Sequence, residues 1–169
     1  MHRKQKEGHW TKLLRTTLET PAWQALSPTA QALYPWLKLE WRGNNANNNG
    51  KIRFSVRQAS AAIGVSMNTA AKAFHDLQAK GFIVTKEPAR LGLSGEAKAP
   101  AYEITELAIP SREEQEGRKL YKDWREGHDY PVHKAQANNP TGANGKTKPH
   151  LKNTDGSILD IETFRKRTS

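Results

Sequence analysis

The chain contains no cysteine. Disulfides, zinc fingers and thiol catalysis are thereby excluded. No apolar stretch approaches the roughly 18 residues that a membrane-spanning helix needs, and the opening MHRKQKEGH lacks the apolar region of a secretion signal. These two absences set the expectation of a cytoplasmic protein with no membrane partner. Acidic residues are also scarce, 17 against 27 Lys and Arg, for a net charge of +10 and a pI near 9.9. Apolar residues make up 36% of the chain and the mean hydropathy is −0.84, so its 169 residues suit one modest core plus extensions. The basic excess points to a polyanionic partner. It sits mainly in residues 1–110, which hold 15 basic against 8 acidic side chains.

Sets of residues able to do chemistry are equally scarce. His2, His9, His75, His128, His133 and His150 show no ligand spacing with carboxylates, so neither a metal nor a cofactor is expected. Gly142-Ala143-Asn144-Gly145-Lys146-Thr147 resembles the end of a phosphate loop. The loop's first glycine is replaced by Pro140, however, and no apolar strand precedes it. No nucleophile and base fall together on stable elements, and Glu113-Glu114 reads as part of a solvated helix. The expectation is a protein that is not an enzyme.

What the chain does have is the stretch Ser55–Ile83. Ser55 and Gln58 form a capping box, and Val56, Ala59 and Ile63 recur at helical spacing behind it. Gly64 suits a left-handed helix end, Val65 plugs the turn, and Ser66 caps a second helix. Ala70, Ala73, Phe74 and Leu77 give that helix its apolar stripe, and Gly81 ends it. Small residues on the inner faces let the two helices cross closely. The outer face of the second helix carries Asn68, Thr69, Lys72 and His75. This is the anatomy of a helix-turn-helix whose second helix enters a DNA major groove.

The remaining elements follow in order. Residues 1–9 read as a flexible basic arm. Trp10, Leu13, Leu14 and Leu18 begin the folded part, and Ser27-Pro28 starts a helix carrying Ala30, Leu33, Leu37 and Trp41. Pro35 should kink that helix or shift its start. Trp23, Trp36 and Trp41 read as core of this first helical region. Gly43–Gly50 is a loop, and Lys51–Phe54 is a short strand. Phe82–Lys86 and Ala101–Thr105 form a hairpin with a long tip, a wing over 86–100, in which Arg90 and Lys98 are placed to face phosphates or a minor groove. Leu91 and Leu93 have no evident core partner there. Ser111 and Glu114 open a charged helix over 111–126, whose narrow apolar side (Leu120, Tyr121, Trp124) can dock on the domain or pair with a second copy in a homodimer. Residues 127–169 read as a disordered tail, in which Ile158–Phe164 is a candidate docking helix.

Strand, helix-turn-helix and hairpin in that order resemble a winged-helix DNA-binding domain. Arg57 to Ile83 is similar to the GntR type through Ile63-Gly64-Val65-Ser66, Asn68-Thr69, Ala73-Phe74, Leu77 and Gly81-Phe82-Ile83. The long hairpin tip is more like a MarR-type wing. The resemblance spans residues 20–108, extends weakly to small plasmid and phage proteins, and departs at Ala71, where the family often has a basic residue. It implies an α+β, mainly α fold: a three-helix core with a two- to three-stranded wing over residues 10–110, then a C-terminal helix and tail. It also implies DNA contact by Arg57 and by Ser66, Met67, Asn68 and Thr69. Lys72, His75, Arg90 and Lys98 complete the expected contact set for double-stranded DNA. The expected role is a sequence-specific transcriptional regulator. The alternatives are a replication or partition factor of a mobile element, or a protein-interaction adaptor.

Overall fold

The computed structural model describes residues 9–91, 97–110 and 116–134, together with the backbone of 151–152 and 158–159. The chain divides into two units, Met1–Ala135 and Gln136–Ser169. In the second, Leu151–Lys152 and Ile158–Leu159 pair as short antiparallel strands. Apart from those four residues, 135–169 lie outside the described residues. So do the basic arm before His9, the tip around Leu93, and the Ser111/Glu114 box.

The first unit is α+β. Among its described residues are five helices: α1 (Arg15–Leu18), α2 (Pro21–Gln24), α3 (Pro28–Leu39), α4 (Val56–Ile63) and α5 (Met67–Ala79). Ser27 caps α3, its Oγ accepting from the Ala30 N–H at 3.3 Å, and Pro28 fills the first helical position. The helix continues past Pro35 to Leu39. Burial of Leu33, Tyr34 and Leu37 outweighs the one missing backbone donor. The capping box of α4 is present: the Gln58 N–H donates to Ser55 Oγ at 3.1 Å, and the Ser55 N–H to Gln58 Oε1 at 2.9 Å. Gly64 ends α4 at φ +68°, where a side chain would be strained.

α3, α4 and α5 pack on one another around Leu33, Leu37, Ala59, Ala73, Phe74 and Leu77. An antiparallel sheet closes this core. It runs β1 (Ile52–Arg53), β5 (Ala101–Ile104), β2 (Ile83–Glu87), in that spatial order. Ile52 and Thr85 both stand opposite Tyr102, and Ile83 stands opposite Ile104. The register shifts between Thr85 and Glu87, and beyond it β3 (Arg90–Leu91) pairs with β4 (Ala97–Lys98) to extend the hairpin.

Several sequence expectations need correction. Trp10 and Leu13 are 70% and 42% exposed, and Trp36 is 44% exposed. Only Trp23 and Trp41 of the first three core candidates pack against the core. Residues 116–126 do not make a helix. They carry one 3-10 turn, Leu120–Lys122. The apolar groups expected on one helix stripe are fixed individually instead. Tyr121 stacks on Phe82 (centroids 4.8 Å apart), Trp124 is buried, and the Lys119 N–H donates to Thr105 O at 2.7 Å. A side chain at Gly117 would collide with Thr105 O, so the segment follows the end of β5 closely.

Residues 127–134 are packed too. The Tyr130 N–H donates to Ala79 O at 2.8 Å, and its ring lies where a Cβ at Gly81 (φ +75°) would have to go. The composition of this stretch is polar, but one tyrosine in the right place is enough to hold it.

Candidate nucleic-acid interface

The geometry of α5 begins at its cap. Ser66 Oγ accepts from the Thr69 N–H at 3.1 Å and lies 2.8 Å from Thr69 Oγ1. Both hydroxyls therefore hold the first turn. Ala70, Ala73, Phe74, Leu77 and Gln78 are buried, which turns Asn68 and Lys72 outward, both exposed, with His75 half-buried beside them. Positions 68, 72 and 75 share one face, each about one turn from the next. Met67 stands 60% exposed at the tip. Asn68 and Lys72 have no hydrogen bond or ion pair among the described residues, so their donors and acceptors face solvent. The only acid of α5, Asp76, is engaged elsewhere: it accepts from the Ser27 N–H at 2.7 Å and pairs with Lys80 at 3.1 Å.

The other expected cations lie on two flanking elements. Arg57 is exposed in the first turn of α4. Arg90 and Lys98, both exposed, stand opposite each other across β3–β4. Arg53 fixes the base of that hairpin by donating to Ala99 O and pairing with Glu87. The Arg53 guanidinium in turn holds the Glu87 carboxyl below the usual carboxylate range.

A groove of about 650 Å³ runs between the start of α4, α5 and the hairpin. It brings Arg57, His75 and Lys98 together. Ser66, Met67, Asn68, Thr69, Lys72 and Arg90 lie outside it. The C-terminal segment brings two groups missed in the sequence to this region. The His133 N–H donates to Gln78 Oε1 at 2.9 Å, and His133 lines the groove. Lys134 adds to burial in holding the His75 imidazole below its ordinary value. Their only signal was Tyr130, an aromatic in an otherwise polar stretch.

Among the described residues no cluster of three or more His, Asp or Glu is arranged to hold a metal, and no described helix is long and apolar enough to cross a membrane. No family model, no curated protein and no solved structure matches the chain.

Proposed function

We propose that residues 10–110 form a winged helix-turn-helix domain that binds double-stranded DNA and reads its sequence. α3, α4 and α5 are the three-helix core, α5 is the recognition helix, and the β2–β5 hairpin with β3–β4 at its end is the wing. The observation that carries the reading is the exposed face of α5, capped at its start and free of acids, with basic side chains on the elements at its flanks. Asn68 reads a base edge in the major groove, its amide being suited to the donor–acceptor pair of adenine. Lys72, Arg57, Arg90 and Lys98 hold phosphates and set the register. Ser66 and Thr69 contribute by presenting the start of the helix, since their hydroxyls are already committed to each other. The role that follows is a cytoplasmic transcriptional regulator.

The test is binding to genomic fragments at graded salt, followed by sequencing of what is retained. Affinity should fall steeply, with log K losing about 0.9 per neutralised phosphate for each unit of log salt. Binding that does not change with salt, or none at all, would remove the reading and favour a protein partner. Recovery of one repeat array instead of promoters would move the role to replication or partition.

A further inference from the structure

We infer that the hollow beside Trp10, where the segment before α1 meets the end of α3, is a binding site for single-stranded nucleic acid, DNA and RNA alike. The inference does not depend on α5 reading duplex DNA.

Two contacts decide where the segment before α1 lies. His9 Nε2 is 2.7 Å from Leu39 O, and the Lys38 ammonium donates to Lys12 O at 2.5 Å. Trp10 stands between these anchors, yet it is 70% exposed. One exposed aromatic ring is ordinary on a protein surface. This one is held from both sides and shares a cavity of about 440 Å³ with a second indole, Trp41. That volume is within the range of small-molecule sites. Trp41 is half-buried, and its indole N–H donates to Asn47 Oδ1 at 3.0 Å, which fixes the second ring. Lys12 and Arg42, both exposed, line the same cavity. Lys38 lines it too, but its ammonium is committed to Lys12 O and Glu106.

Aromatic faces beside cations suit a flat ring carried on a polyanion. An unpaired base stacks on an indole face, and its neighbouring phosphates pair with Lys12 and Arg42. A duplex hides its base faces within the stack and offers Trp10 nothing. The stacking face and the phosphates are common to every base and to both nucleic acids, so neither sequence nor sugar is selected. Two separate cations favour a strand over a single nucleotide, which brings phosphate to one place only. A bilayer would need an apolar face to bury, not a hollow walled by rings and cations. The hollow is also apart from the wing. Trp41 bonds Asn47, whose amide donates to Ala108 O past the end of β5, whereas β3–β4 precedes the start of β5. A strand in the hollow therefore leaves Arg90 and Lys98 uncovered.

The experiment uses the full chain and a fluorescein-labelled oligothymidylate, which forms no duplex of its own. Anisotropy should show saturable binding, with log K losing about 0.7 per neutralised phosphate for each unit of log salt. Trp10→Ala should weaken it about tenfold, the loss of one stacked base, and Trp10→Phe should keep most of the affinity. The ring is exposed, so the unfolding midpoint should not move. Lys12→Gln and Arg42→Gln should each lower the salt slope by about 0.7. A strand of abasic sites with the same phosphates should bind the native chain about tenfold more weakly than oligothymidylate, and Trp10→Ala should lose that discrimination. Equal affinity of Trp10→Ala and the native chain for oligothymidylate, or no binding by either, overturns the site. Thymidine monophosphate binding as tightly as the strand overturns the strand as occupant. Sedimentation with phosphatidylglycerol vesicles that requires Trp10, without oligothymidylate binding, overturns the inference in favour of a membrane surface. The function proposed above fails separately: a chain that binds oligothymidylate through Trp10 but no duplex keeps this site and loses α5 as a reader.

Discussion

Lys38 and Glu106 meet at 2.7 Å with 4% of each side chain exposed. The Lys38 ammonium also donates to Lys12 O at 2.5 Å, and the carboxylate accepts from Tyr34 Oη at 2.8 Å and Thr17 Oγ1 at 3.0 Å. Burial and the Glu106 charge push the Tyr34 hydroxyl well above its ordinary pKa. One buried ion pair thus ties the segment before α1, α3 and the end of β5 together. Removing a single partner leaves a charge in the interior without compensation. Glu106→Ala should cost about 3–5 kcal/mol, and thermal unfolding should show it as a loss of more than about 12 °C. The double change Lys38→Met with Glu106→Leu should recover most of that loss. A double variant as unstable as the single one would shift the weight from the charge pair to the Tyr34 and Thr17 hydrogen bonds.

The C-terminal boundary of the domain lies near Lys134. Ending the chain there should leave the unfolding midpoint within about 2 °C, because the packed side chains Tyr121, Trp124 and Tyr130 are all retained. Ending it at Pro110 removes Tyr121 and Trp124 from the core. Loss of two large aromatic side chains at about 3 kcal/mol or more each should abolish cooperative unfolding at ordinary temperature. Similar midpoints for the two truncations would show that the segment merely rests on the surface.

Reading and holding of DNA are separable on α5. Asn68→Ala should cost about 1–3 kcal/mol on the selected site and less on random DNA. Lys72→Ala should weaken every sequence alike and lower the salt slope by about one. Both side chains are exposed, so the unfolding midpoint should hardly move. Equal losses on site and random DNA for Asn68→Ala would mean that the base-reading face of α5 is a different one.

Acidity should act through His75. Burial first and Lys134 second keep its imidazole below the ordinary 6.5. The unfolded chain therefore takes up the proton at higher pH than the folded one. Stability is fully present above the ordinary value and declines as pH falls through it toward the lower folded pKa. DNA phosphates favour the charged ring, so affinity should rise over the same descent, as pH falls through about 6.5 and below. His75→Gln should flatten both profiles. Profiles unchanged in that variant would exclude His75 as their source.

Local order was the most legible part of the sequence. The caps at Ser27, Ser55 and Ser66 and the left-handed turn at Gly64 depend on neighbours within a few residues, and each stands where its pattern indicated. Long-range partners left no such trace. Asn49 lies in a run of asparagines that reads only as a loop, yet it is buried. Its side chain accepts from the Ile104 N–H at 2.7 Å and donates to Ile104 O and Leu107 O. Nothing in the sequence near Lys38 announces its partner Glu106, 68 residues on. The capping box at Ser111 suggested a helix, and an aromatic contact with Phe82 decided the path of residues 116–126 instead. For the interface, the face of α5 was legible from periodicity. The groove was not, because its walls come from four separate stretches of chain.

Thr17 lies 3.4 Å from Tyr121 Oη and also bonds Glu106. An early packed segment and one near the end of the domain are therefore neighbours. A ribosome that has released only residues up to Pro110 has produced all five helices and the sheet, but Phe82 still lacks the Tyr121 ring and the Glu106 carboxylate lacks its outer cover. The domain becomes whole only as its final packed stretch emerges. The same adjacency makes the domain suited to having its ends joined and a new start opened elsewhere, with the exposed loop at Asn44–Ala46 as a natural place for the cut.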